Sequence, residues 1–134
     1  MTRLVLVVAA AFVDAQSRIL IAQRPLNKQL GGLWEFPGGK VEVGERPEDA
    51  LVREVREELD VAVDRDALEP LTFASHAYDD FHLLMPLFIV RRWQGEPRAV
   101  EAPALAWASP SDLRAYAMPP ADEPLVDALV RALG

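Results

Sequence analysis

The chain contains no cysteine. That removes disulfides, thiolate metal sites and a cysteine nucleophile from consideration. It also fits a reducing compartment, so a cytoplasmic location is the expectation. Positive charge is short as well: 14 Lys and Arg stand against 21 Asp and Glu, a formal net charge of −7. An acidic surface repels a phosphodiester backbone, so DNA and RNA polymers are not expected partners. A small phosphorylated ligand is still allowed, provided cations neutralise its charge. The longest apolar run, Leu4–Val13, has ten residues, whereas a helix that crosses a bilayer needs about 20, so no membrane partner is expected. Repeats and low-complexity linkers are missing, and 134 residues make one domain, expected as 1–134. A monomer or weak homodimer is the expected state.

What is present is apolar material for a core: 51% of the residues are hydrophobic. A domain of this length buries roughly two thirds of the surface its unfolded chain exposes. The start, with Arg3 before an apolar run and small alanines, has the look of a secretory signal. A polar turn at Asp14–Ser17 and a second apolar segment at Arg18–Gln23 favour two strands joined by a turn. Residues 24–34 hold Pro, Asn and paired Gly and read as a loop; 35–40 form a short extended piece that breaks at Pro37.

Pro47–Leu59 has the marks of a helix, with Pro at N1 and Glu48 and Asp49 in the first turn, although Arg46 is a poor N-cap. Strands are expected near Leu68–His76, Phe81–Trp93 and Ala104–Ala108, with a turn at 94–97. Pro86 demotes the second of these to an edge strand or a bulge. Pro110–Tyr116 begins like a helix, and Pro124–Leu133 is a last helix with Leu125, Val126, Leu129, Val130 and Leu133 on its apolar side. Strands with interspersed helices imply an α/β or α+β sandwich.

The helix at 47–59 carries an unusual concentration of acid. At about 100° per residue, Leu51, Val52, Val55 and Leu59 share one sector and form the core stripe. Glu54, Glu57 and Glu58 occupy the adjoining sector with Ala50 among them, and Arg53 and Arg56 take the remaining side. On a solvated face, with Arg53 pairing with Glu57, such crowding costs only a few tenths of a kcal/mol per pair. At the margin of a cleft, two carboxylates ~6 Å apart at an effective dielectric of ~20 repel by roughly 3 kcal/mol. Protons or cations must then intervene. Carboxylate oxygens without nitrogen or sulfur nearby suit Mg²⁺, with Mn²⁺ as a substitute.

The segment before the helix decides between these readings. Gly39, five residues, Glu45, seven residues, then Arg53-Glu54-Val55-x-Glu57-Glu58 resembles the signature of the Nudix hydrolases, G-x5-E-x7-R-E-U-x-E-E-x-G-U, with U aliphatic. Six fixed identities at about one in fifteen each make a chance match on the order of one in ten million per start position. The single departure is Asp60, where the family has Gly. That residue follows the helix and is expected at φ > 0, a region Asp tolerates better than most. The resemblance implies an α+β fold, an α/β/α sandwich with a mixed sheet between helices. It implies that Glu54, Glu57 and Glu58 ligate divalent cations, that Gly38 offers its backbone carbonyl, that Glu45 sits beside them directly or through water, and that Arg53 orients the glutamates. It also implies hydrolysis of a nucleoside diphosphate linked to another moiety, with Glu54 as the base and Glu101 or Glu45 as rivals.

The similarity covers nearly the whole chain. The stretches LIAQRP, GLWEFPGGK, RRWQGEPRAVE and MPPADEPL resemble the MutT subfamily, which hydrolyses oxidised dGTP to its monophosphate and pyrophosphate. That resemblance makes Glu101 a further metal-associated acid and places Arg24, Phe36, Tyr78, Asp80 and Asp122 near the substrate. MutT-like chains have Asn where this one has Asp122. An amide both donates and accepts, which suits O6 and N7–H of 8-oxoguanine; an ionised carboxylate only accepts, which suits the amino group of cytosine. The Asp also resembles a neighbouring branch of CTP and modified-dCTP pyrophosphohydrolases. Oxidised dGTP is the first expectation and a cytosine nucleotide the second; a catalytically inactive nucleotide-binding domain is the third. The side chains of Phe36 and Trp34 are expected in the core, and His76 and His82, without metal spacing, in structural roles.

Overall fold

The computed structural model describes residues 3–134; Met1 and Thr2, which open the signal-like start, lie outside the described residues. In chain order the elements are β1 (Arg3–Phe12), β2 (Ile19–Gln23), β3 (Trp34–Glu35), β4 (Gly38–Lys40), α1 (Pro47–Leu59), β5 (Leu68–Ala77), β6 (Phe81–Val90), β7 (Leu105–Ala108) and α2 (Glu123–Leu133). Short 3₁₀ turns sit at Arg65–Ala67, Pro110–Ala115 and Pro120–Asp122.

Period-two alternation along β1 organises the layers. Val8, Ala10 and Phe12 point to one face, where they meet Leu51, Val55 and Leu59 of α1. Ala9, Ala11 and Val13 point to the other, where Leu125, Val126 and Leu129 of α2 close the second core. A strand buried on both faces has to be apolar nearly throughout, which is why the Val8–Phe12 half of the run is unbroken; Leu4, at its start, is exposed. The larger sheet has the order β4-β1-β6-β5. It is mixed: β1 runs parallel to β6 and antiparallel to β4, and β5 runs antiparallel to β6. The smaller antiparallel sheet is β3-β2-β7. The result is the expected α+β sandwich, helices outside and sheet between.

Several expectations change in detail. β1 and β2 are joined by the expected turn, with Ser17 at φ 60°, but after the Val13–Ile19 bridge they diverge into different sheets. Pro86 does not mark an edge, because β6 lies between β1 and β5. The ladder to β1 instead lapses beside the proline: partners run as far as Leu6–Leu84 and resume at Ala9–Leu87. The missing N–H is thus accommodated by a local gap, while Leu83, Met85 and Leu87 fill the core. β6 ends at Val90, not Trp93, and 110–115 is a 3₁₀ turn capped by Ser109, whose Oγ accepts from the Asp112 N–H at 3.2 Å. Ala50, grouped by the helical wheel with the acids, is fully buried, and Val52 is only half-buried.

Candidate active site

α1 forms where its local signals put it: Pro at the first position, acids in the first turn, and no side-chain cap from Arg46. Its end is set by Asp60, at φ 57° and ψ 40°, whose N–H donates to the Arg56 carbonyl at 3.1 Å. This is the left-handed conformation expected at the family's glycine position, and Arg98 Nη1 lies 3.2 Å from Asp60 Oδ2.

Arg53 gathers the acids. Its Nε and Nη2 donate to both oxygens of Glu45 at 2.8 and 2.9 Å. Its Nη1 donates to Glu54 Oε1 at 2.9 Å and lies 3.5 Å from Glu57 Oε2, while Nη2 also reaches the Lys40 carbonyl at 3.2 Å. Glu45 accepts in addition from the Glu42 N–H at 3.0 Å. These bonds, Arg53's first among them, hold the Glu45 carboxyl down at about 2.

The loop and strand in front of the helix are shaped for close approach. A side chain on Gly38 would run into the Val8 carbonyl, and one on Gly39 into the Glu54 carboxyl. Gly38 therefore lets β4 lie close against β1, and Gly39 lets the Glu54 carboxyl lie directly on the backbone of β4. Beside it, Glu58 Oε2 accepts from the Gly38 N–H at 3.3 Å. Burial, with the charges of Glu54, Glu35 and Glu101 adding to it, pushes Glu58 up to about 8 against the pull of that hydrogen bond. Glu57, its side chain 60% exposed, does not line the cleft with Glu54 and Glu58. Among the described residues no three acid or imidazole groups already converge as a closed metal cage. Glu54 is turned to Arg53, Glu58 to Gly38 and Glu57 outward. The donor set is all oxygen, strongly anionic and floored by glycine, which fits a hard divalent cation better than any softer ion.

These residues form one end of a cleft of about 350 Å³ that Gly38, Gly39, Glu54, Glu58 and Glu101 share with Arg24, Glu35, Phe36 and Asp122. Pockets of this size hold small-molecule ligands. At the far end Asp122, in the turn before α2, is only 5% exposed. Burial and then the charge of Glu35 push its carboxyl up to about 7, with Arg24 pulling the other way. Arg24 reaches Glu35 through Nη1 at 3.0 and 3.3 Å and is itself anchored by Nε to the Gln29 carbonyl at 3.0 Å.

The remaining expectations divide. Phe36 touches the cleft, but at 4% exposure its ring belongs to the core. Trp34 packs edge-on against Tyr116 at 5.2 Å. Tyr78 is not in the cleft wall; it stacks on Phe81 at 4.9 Å and meets His76 at 4.7 Å, and burial, with the charge of Asp122 adding to it, raises its phenol. Asp80 is exposed in the tight turn between β5 and β6 and is not brought to the cleft. His82 bonds to Ser75 Oγ at 2.6 Å, a structural contact. Sequence reasoning missed Glu35 and Lys28, both of which line the cleft. The available signal for Glu35 was a lone acid between two aromatic residues just before the glycine pair.

A model of the NUDIX domain matches residues 8–128. The chain belongs to the Nudix hydrolases. Among Nudix relatives, the CTP pyrophosphohydrolase of Escherichia coli K12 is 40% identical over 125 residues, covering 92% of this chain and 90% of the relative. The 8-oxo-dGTP diphosphatase of the same organism is 37% identical over 119 residues, covering 88% and 90%. A solved structure from a study of MutT from Aliivibrio salmonicida and Vibrio cholerae superposes with a TM-score of 0.82 at 32% identity, covering 97% of this chain and 99% of that one. The mixed sheet between two helices is thus the Nudix sandwich, and α1 lies within the matched residues.

Proposed function

We propose that this single-domain chain is a Mg²⁺-dependent nucleoside triphosphate pyrophosphohydrolase, with Mn²⁺ able to substitute. In this reading it converts 8-oxo-dGTP to the monophosphate and pyrophosphate, and so cleans the cytoplasmic nucleotide pool. The observation that carries the reading is the division of one cleft: clustered acids over Gly38 and Gly39 at one end, and a buried polar group, Asp122, at the other. A triphosphate needs the first and a base edge needs the second. Nudix relatives named as 8-oxo-dGTP diphosphatases support the substrate.

Glu54, Glu57, Glu58 and Glu101, with the Gly38 carbonyl, are the proposed metal ligands. When bound, a divalent cation supplies charge neutralisation and Lewis acidity at the phosphates. Glu54 is the proposed general base: its Oε1 is tied to Arg53, which leaves Oε2 to take a proton from the attacking water. Glu45 is poorly suited to that role, since both its oxygens are bonded to Arg53 and its carboxyl is held near 2. We assign Glu45 to positioning Arg53, and Arg53 to positioning Glu54. Arg24 and Asp122 are the proposed substrate contacts; Phe36 contributes its backbone, and Tyr78 and Asp80 have no assigned part. The monomer is the proposed active form, or a weak homodimer of it.

Asp122 also favours a second reading. Ionised, it only accepts and suits the amino group of cytosine; protonated, it donates and accepts as an amide does and suits 8-oxoguanine. A carboxyl at about 7 has both forms available at neutral pH. The CTP pyrophosphohydrolase relative supports this alternative. A panel of dGTP, 8-oxo-dGTP, CTP and 5-methyl-dCTP distinguishes the two. A kcat/KM for 8-oxo-dGTP more than about tenfold above that for CTP, or 1.4 kcal/mol, upholds the first reading. A smaller ratio transfers the assignment to cytosine nucleotides. Full binding without pyrophosphate release in Mg²⁺ identifies an inactive binding domain.

A further inference from the structure

Glu101 reaches the cleft from a stretch without a strand or helix of its own: residues 91–104 lie between β6 and β7. Its position therefore depends on what that stretch is tied to, and the tie is the end of α1. The last carbonyls of a helix have no partner within it. Here the Arg98 N–H donates to the Leu59 carbonyl at 2.9 Å, and the Val100 N–H to the Glu58 carbonyl at 3.3 Å. Glu101 thus follows directly on a bond to the backbone of Glu58, another acid of the same cleft. Earlier in the loop Gln94 and Ala62 exchange N–H···O bonds at 2.9 and 3.0 Å, which seats the loop on the segment after the helix. Beyond Glu101, the Ala104 carbonyl accepts from the Gln23 N–H at 3.0 Å.

One side-chain contact closes the same seam. Arg98 Nη1 donates to Asp60 Oδ2 at 3.2 Å. Asp60 stands where the Nudix signature has glycine, which has no side chain to make this pair. The positive charge of Arg98 also lies at the C-terminal end of α1, the end that favours cations. We infer that the Asp60–Arg98 pair latches the 94–101 loop onto the end of α1 and so positions Glu101 for the divalent cation. This rests on the metal reading of the acid cluster. Asp60 and Arg98 are positioning residues, since neither lines the cleft. Their side chains are 48% and 69% exposed, so the latch acts as a bias on the loop and is of modest strength.

The test is Mn²⁺ binding to the full-length protein, measured by calorimetry at low salt and without substrate. Asp60→Asn removes the charge and keeps a residue that tolerates the left-handed conformation; Arg98→Gln removes the other partner. Each is expected to weaken Mn²⁺ binding about two- to fivefold. The two variants change net charge in opposite directions, so a general electrostatic effect moves the affinities apart, whereas loss of the latch moves both down. In a Glu101→Gln background neither variant is expected to weaken binding further, because the ligand that the latch positions is gone. A second readout needs no metal: in EDTA the Val100 amide is expected to exchange its hydrogen about two- to fivefold faster in both variants. Affinities shifted in opposite directions overturn the inference. So do equal losses with and without Glu101, and so does unaltered exchange at Val100. Absence of Mn²⁺ binding by the wild-type protein contradicts the metal reading itself, and the inference with it, whatever the exchange rates.

Discussion

Both oxygens of Glu45 are bonded to the guanidinium of Arg53, at 2.8 and 2.9 Å, across eight residues of sequence and the start of a helix. The remaining nitrogen of the same group donates to Glu54 at 2.9 Å. A planar fork can do both at once; an ammonium cannot reproduce that geometry. Arg53→Lys is therefore expected to lower kcat at least about tenfold while KM changes little, with circular dichroism showing the fold intact. A change confined to KM would place Arg53 in substrate binding instead.

The Glu45 side of this pair predicts an acid effect. Its folded-state carboxyl is depressed to about 2 from an ordinary value of 4.5. A depressed carboxyl contributes stability that is present above the unfolded value and lost as pH falls through the folded one. Between pH 4.5 and 2 the wild-type protein should lose more stability than Glu45→Gln. Urea midpoints for both proteins across that window check it; parallel curves would deny the bond its role.

Glu58 has the opposite sign. Its carboxyl is raised to about 8, so its contribution is complete below the unfolded value of 4.5 and is lost as pH rises through 8. Metal-free protein should become less stable between those limits, and Glu58→Gln should flatten that part of the decline. Asp122, raised to about 7, declines in the same direction, and Asp122→Asn removes its share. Mg²⁺ is expected to raise the melting temperature more at pH 8 than at pH 5.5, because the bound ion needs the ionised carboxylate. Melting curves in EDTA and in Mg²⁺ give the comparison.

Asp122→Asn fixes an amide where the wild-type carboxyl titrates. The ratio of kcat/KM for 8-oxo-dGTP over CTP is expected to rise in this variant. It should also lose the pH dependence between about 6 and 8 that the wild-type protein shows. An unaltered ratio would remove Asp122 from base recognition.

The signature helix also has a correctable defect. Arg46 offers no side-chain bond to the first turn. Arg46→Thr is expected to add about 1 kcal/mol of stability, a rise in melting temperature of about 3 °C, with activity unchanged. A lower melting temperature would show that Arg46 makes a contact of greater value.

The helices, the strands and the acid cluster were legible in the residues because each rests on a short-range rule: a period of 3.6 or 2, a proline at N1, a fixed spacing of glutamates; the mixed sheet, which depends on pairing between distant segments, was expected only from the family resemblance. Asp60 was legible for the same reason, since a helix end followed by a left-handed residue is a local event. Pro86 misled, because whether a strand is interior depends on which distant segment lies beside it, and a proline is tolerated where the neighbouring ladder lapses. Asp80 misled too, because a match at one position of a tight turn does not say which way the turn faces. Glu35 was invisible as a site residue until strand pairing brought it beside Arg24 in the cleft.

The central claim is that Glu54, Glu57 and Glu58 share a divalent cation against a polyphosphate. Calorimetric titration of the metal-free protein with Mn²⁺ at pH 7.5, in two buffers of different ionisation heat, tests it most directly. The account predicts saturable binding with net proton release, since Glu58 is largely protonated beforehand. It also predicts affinity reduced at least about tenfold by Glu57→Gln or Glu58→Gln and unchanged by Glu69→Gln, on the exposed far strand. Mn²⁺ binding of equal strength in all four proteins, or none in any, would contradict it.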